Sequence, residues 1–111
     1  MANWCSNIVS FKGDKQSSLQ ITKLFNQLMA QEKAQERGQL PEFITDEDGY
    51  MFEIWRIANV VTYETRWSPN TAIVKAIADH FQVDFIYEYV EPMNSIHGKL
   101  SYSNGELKTL K

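Results

Sequence analysis

Cys5, His80 and His97 are the residues with the most reactive side chains, because the chain holds one cysteine and two histidines. A nucleophilic thiol needs a histidine or a helix N-terminus beside it to hold the thiolate. Both histidines are far from Cys5 in sequence, and no acyl-transfer signature surrounds it. Cys5 therefore reads as a buried structural residue at a strand entry. A single cysteine excludes an internal disulfide, a cysteine-built zinc site and a four-thiolate iron–sulfur cluster. The histidines have no i, i+4 spacing, so a metal site would need carboxylates recruited from elsewhere. The helix dipole gives His80 a sufficient role near a helix C-terminus.

Placing Gly49 of Asp46-Glu47-Asp48-Gly49 at the sixth position of a calcium loop puts Ile44 first and Trp55 twelfth. Carboxylates are required at both, so the segment reads as a solvated turn. Glu88 and Glu91 lie close together, with Glu53 and Glu64 elsewhere. Acid–base catalysis needs two such groups held across a cleft with their pKa values driven apart, and the sequence shows no such pairing. A cleft gathering Glu88 or Glu91 with a histidine is what would favour an enzyme. No catalytic residue, metal ligand or cofactor is assigned.

Three tryptophans (Trp4, Trp55 and Trp67) and Tyr63, Tyr87 and Tyr89 raise the question of base stacking, as RNA-recognition sheets do it. Phe85, Tyr87 and Tyr89 share a strand face with Val83, which reads as core. No basic, glycine-containing strand motif appears, and fourteen acids against eleven bases give a net charge of −3. That sign is wrong for a protein that neutralises phosphates. Trp55 and Arg56 fall in an irregular region and are the candidate partner surface.

These residues are positioned by elements that periodicity outlines. Asn7 to Lys12 alternates as a strand, with Asn7, Val9 and Phe11 on one side and Ile8 and Ser10 on the other. Ser17 and Gln20 match a capping box, with Asp14 competing for the cap. Ile21, Leu24, Phe25, Leu28 and Met29 form the stripe of an amphipathic helix, which the good helix formers of 30–37 extend as a solvated end to Gly38. The stretch 39–58 fits either an irregular hairpin or one strand with a long lead-in. Val60 to Trp67 reads as a strand and Pro69 to His80 as a helix. Ser68 is the expected N-cap and Pro69 the first helical residue. Trp4, Cys5, Trp67, Ser68 and Pro69 are the expected structural anchors, with Trp67 buried where strand meets helix. Val83 to Val90 reads as a strand, and Ile96–Tyr102 and Glu106–Leu110 flank the hairpin signal Asn104-Gly105.

The predicted fold is α+β: one two-layer domain over residues 1–111, with a split βαβ antiparallel sheet. Two helices on one face and a C-terminal hairpin complete it. The face away from the helices should be polar, carrying Thr62, Glu64, Arg66, Asp84 and Glu88. No apolar run approaches the roughly 20 residues of a membrane span, and no leader peptide is evident, so the expected location is the cytoplasm.

Asn3-Trp4-Cys5-Ser6-Asn7, Tyr63-Glu64-Thr65-Arg66-Trp67-Ser68-Pro69 and the run from Tyr87 through Glu91-Pro92 to Gly98 have a precedent. In these three places the chain resembles the ferredoxin-like, Api-type family of phages, plasmids and integrative elements. Asn70 and Met93 depart from residues frequent in that family, both in loops. The resemblance implies a ferredoxin-like topology and a mobile-element setting, and it implies no catalytic residues. The expected function is a non-enzymatic accessory or interaction module whose partner is another protein. A nucleic-acid-binding module and an enzyme of unknown type are the alternatives.

Overall fold

The computed structural model describes residues 3–45 and 48–110. A nine-residue strand β1 (Trp4–Lys12) opens the chain and leads into helix α1 (Lys15–Gln35). Strands β2 (Phe52–Ile57) and β3 (Val60–Arg66) follow, then helix α2 (Thr71–Phe81) and strand β4 (Asp84–Glu91). A single 3-10 turn (Pro92–Asn94) and the hairpin β5 (Ile96–Ser103) and β6 (Glu106–Leu110) complete it. Among the described residues, six strands join one sheet in the order β2-β3-β1-β4-β5-β6, every neighbouring pair antiparallel.

Strict alternation along β1 buries Cys5, Asn7, Val9 and Phe11 and exposes the residues between them. Val9 and Phe11, Val61 and Tyr63, and Phe85 and Tyr87 share one core cluster with Ile21, Phe25 and Leu28 of α1. Ile73, Val74, Ile77 and Ala78 of α2 join the same cluster. Each such large side chain withdrawn from water contributes about 1.5–3 kcal/mol, so this cluster dominates stability. Tyr102 of β5 donates its hydroxyl to Asp79 of α2, whose carboxylate also meets Lys75 at 2.9 Å.

The helix ends differ from the sequence expectation. Asp14 caps α1, its carboxylate accepting from the Ser17 N–H at 2.8 Å. Glu36 closes the helix in the left-handed conformation, two residues before Gly38. Gly38 serves packing instead, since a Cβ there would fall 2.6 Å from the Phe52 ring. The end of α1 is not simply solvated: Glu32 accepts from the N–H groups of Glu53 (2.6 Å) and Ile54 (2.9 Å) on β2.

Ser68 is not the cap of α2, and Pro69 precedes the helix rather than opening it. Trp67 intervenes with φ 71°, and the Ser68 N–H donates to the Arg66 carbonyl, a positive-φ γ-turn. Asn70 then starts the helix without a side-chain cap, because its amide is drawn inward to Tyr63 and Gly49. The lead-in form of 39–58 is the one observed: Gln39 bridges Met51, and β2 begins at Phe52. Of the expected acidic tip, Asp46 and Glu47 lie outside the described residues. The hairpin turn uses Asn104 and Gly105, both at positive φ, as a two-residue turn between right-twisted strands requires.

Candidate interaction surface

The face of the sheet turned away from the core cluster is the most distinctive surface of the molecule. Register places Ile8 between Thr62 of β3 and Glu88 of β4, with Trp55 beyond Thr62. In the next row Ser10 lies between Val60 and Ile86, with Ile57 beyond Val60. Trp55 is 58% exposed and Ile57 67%, and Ile8, Ile86 and Val90 are also exposed. Thr62, Arg66, Asp84 and Glu88 are exposed and Glu64 half-buried, as the polar expectation requires. The correction lies in what surrounds them: β1, β2 and β4 interleave large apolar side chains with those charges. Such exposed apolar side chains make this face a candidate contact surface.

The charges on this face are balanced. Lys12, Arg66, Lys99 and Lys108 share it with Glu64, Asp84, Glu88 and Glu106, and Lys99 meets Glu88 at 3.5 Å. A shallow groove of about 580 Å³ crosses β1, β4, β5 and β6, lined by Ile8, Val90, Glu88, His97 and Lys99 among others. Glu88 and His97 are diagonal neighbours there, since Val90 is directly opposite His97. Both are exposed. The groove is open to water, and the Glu88 carboxylate is engaged by the Lys99 ammonium.

At the β3 end of the face, Arg66 is held between aromatic rings. Its guanidinium carbon is 4.9 Å from the Phe52 centroid and 5.7 Å from that of Trp4, and the two rings meet edge to face at 5.1 Å. A guanidinium this close to aromatic rings is attracted by their quadrupoles. Trp67 follows at 55% exposure, so it is not the buried anchor that its size suggests. The γ-turn accounts for this, because a positive φ swings the side chain out of the strand's alternation. Trp4 is likewise exposed at 41%, anchored through Phe52 and Arg66 rather than through the core. Ser68 is exposed and Pro69 half-buried.

Behind the face, a buried polar network fixes the strands that present it. Asn7 donates to the Cys5 carbonyl (3.0 Å), the Tyr63 carbonyl (3.3 Å) and the Thr65 hydroxyl (3.0 Å). Tyr87 donates to the Asn7 amide oxygen and accepts from the Asn70 N–H at 3.1 Å. Tyr63 donates to the Asn70 amide oxygen at 2.7 Å. Burial pushes both tyrosine hydroxyls above their usual pKa, Tyr63 well above it. Every member has a partner, and among the described residues no buried side-chain N or O is left without one. Burial also raises the Cys5 thiol, which keeps it protonated and unreactive. Glu91 is fully buried, and its carboxylate accepts from the N–H groups of Met93 (3.1 Å) and Asn94 (2.8 Å). It caps the 3-10 turn and is not in the groove with Glu88.

The structure separates the pair proposed from sequence as one surface. Trp55 points outward, whereas Arg56 is half-buried and donates to Asn26 of α1 (3.0 Å) and to the Ala58 carbonyl (2.9 Å). Arg56 is a structural tie between β2 and α1. Ile8, Ile86 and Val90 are the surface residues that sequence reasoning missed, although strict alternation already placed them opposite the core. Among the described residues, no group of three histidine, cysteine or carboxylate side chains could hold a metal. Nor is any described helix long and apolar enough to cross a membrane.

The sequence model of the family described as the ferredoxin-like domain in Api92-like protein matches residues 48–111. The chain belongs to this family. No curated protein and no solved structure matches it. Two of the three likenesses noted from sequence fall within the matched stretch, and Asn3–Asn7 falls outside it. The match covers β2 through β6, so this ferredoxin-like domain has part of its sheet completed by β1, which is paired between β3 and β4.

Proposed function

We propose that this chain is a non-enzymatic protein-interaction module, docking its partner on the exposed face of the sheet. The observation that carries the reading is the apolar band of Ile8, Trp55, Ile57, Ile86 and Val90 among balanced charges. Such a face suits a protein partner with an apolar contact surface and no strong net charge, and it offers a polyanion no continuous positive field. The strand order β2-β3-β1-β4 and the shared core of α1 and α2 support the split βαβ reading, with both helices on one face and residues 1–111 acting as one domain. The phage or mobile-element setting we infer rests on the sequence resemblance, and the bacterial cytoplasm on the want of any long apolar run in the sequence.

The test is affinity capture from a bacterial host with the wild-type chain and an Ile8→Asp/Ile86→Asp variant shown by circular dichroism to be folded. A protein retained by the first and lost by the second supports the reading, and identical captures contradict it. The enzyme reading has one observation in its favour, the placing of Glu88 and His97 along one groove. A hydrolase screen in which Glu88→Gln and His97→Gln both abolish a detected activity would establish it.

A further inference from the structure

The two edges of the sheet are treated differently. At β2 the register shifts between Phe52 and Trp55, Glu53 takes φ 52°, and Glu32 occupies the N–H groups of Glu53 and Ile54. A bulge and a capping carboxylate are devices that block an edge against further pairing. Among the described residues, β6 has neither a bulge nor a capping carboxylate. Its five residues pair with β5 in unbroken register from Ser103↔Glu106 to Lys99↔Leu110. In a two-residue hairpin the residues flanking the turn form a hydrogen-bonded pair, and such pairs then alternate along the ladder. Glu106, Lys108 and Leu110 thus direct their backbone groups to β5, and Leu107 and Thr109 direct theirs outward. Among the described residues, no other backbone group bonds to that outer side.

We propose that β6 pairs antiparallel with β6 of a second copy, the two-fold axis passing through Leu107. Leu107 then exchanges both backbone hydrogen bonds with the partner's Leu107. Glu106 stands directly opposite the partner's Lys108, and Lys108 opposite the partner's Glu106. These are non-hydrogen-bonded positions, where facing side chains approach most closely. Charge favours this register over its two neighbours: centring the axis on Lys108 sets two ammonium groups side by side, and centring it on Glu106 sets two carboxylates so. Leu107, already 40% exposed, gains an apolar contact on the opposite face. The pairing joins two sheets edge to edge and continues the exposed face across both copies. It does not depend on what that face binds.

Sedimentation equilibrium over a concentration series tests the pairing. The wild-type chain should form a reversible dimer, weakened by salt. Lys108→Glu and Glu106→Lys should each raise the dimer dissociation constant by at least about tenfold, because two attractive pairs become repulsive. The double swap E106K/K108E should restore dimerisation, and all three variants should keep the wild-type circular dichroism spectrum. Loss of the dimer in the double swap, a dimer indifferent to both single reversals, or a wild-type monomer up to millimolar concentration would each overturn the proposal.

Discussion

The hydroxyl of Tyr87 donates to the amide oxygen of Asn7, joining β4 to β1 on the buried side of the sheet. The same hydroxyl accepts from the Asn70 N–H at the start of α2, so one phenol oxygen couples two strands and a helix. Both groups it serves are buried. Tyr87→Phe should therefore cost about 1–3 kcal/mol, the range for leaving a buried polar group unsatisfied. A shift in the urea midpoint at unchanged slope checks it.

Alkaline pH should unfold the protein through this network. Tyr63 and Tyr87 have folded pKa values raised by burial above the usual tyrosine value of about 10. A raised folded pKa gives stability that is full below the unfolded value and lost as pH climbs from there through the folded value. Phenolate absorbance should show the buried pair resisting ionisation until the circular dichroism signal collapses. Smooth titration of all five tyrosines in a folded chain would contradict this.

Trp67→Gly should be neutral or stabilising, and Trp67→Ala should cost less than about 1 kcal/mol. An exposed indole contributes little burial, while a non-glycine residue at positive φ stores roughly 1–3 kcal/mol of strain. Melting temperatures of the two variants decide the matter. A loss of the size seen for core tryptophans, about 3–5 kcal/mol, would show that the side chain is buried after all.

How far the sequence reached is clearest at this residue. The strands β1 and β4, the apolar stripe of α1 and the Asn104-Gly105 hairpin were legible because local periodicity and turn chemistry decide them. The connection 67–70 was not, because a tertiary demand outweighed capping propensity: Asn70 turns its amide inward to Tyr63 and Gly49. Gly38 misled in the same way, its small size serving Phe52 rather than a helix end. The exposed face was half legible. Alternation placed Ile8, Ile86 and Val90 there, but only the register between strands shows that they gather with Trp55 and Ile57.

Glu32→Ala should loosen the β2 edge. The carboxylate accepts two charge-assisted hydrogen bonds from Glu53 and Ile54, so their amide exchange should accelerate while that of Val61 and Tyr63 stays slow. The partly exposed site limits the global cost to about 1–2 kcal/mol. Unchanged exchange at both amides would show that the bulge holds without its clamp.

Single-stranded RNA or DNA should bind no tighter than roughly 10⁻⁴ M at physiological salt, the weak end of non-specific association. Arg66 is an exposed cation of the face, and Glu64 lies two positions along the same strand. Fluorescence anisotropy showing micromolar, salt-sensitive binding would replace the protein partner with a nucleic acid.

The exposed face itself is tested most directly by site-specific photo-cross-linking in a bacterial host. One photoreactive residue is placed at Ile86 on the sheet, and another at Lys23, which is exposed on α1. A discrete protein adduct from position 86 and none from position 23 is the predicted result. No protein adduct at position 86, or the same adduct at both positions, would contradict the claim that the sheet face is where this domain meets its partner.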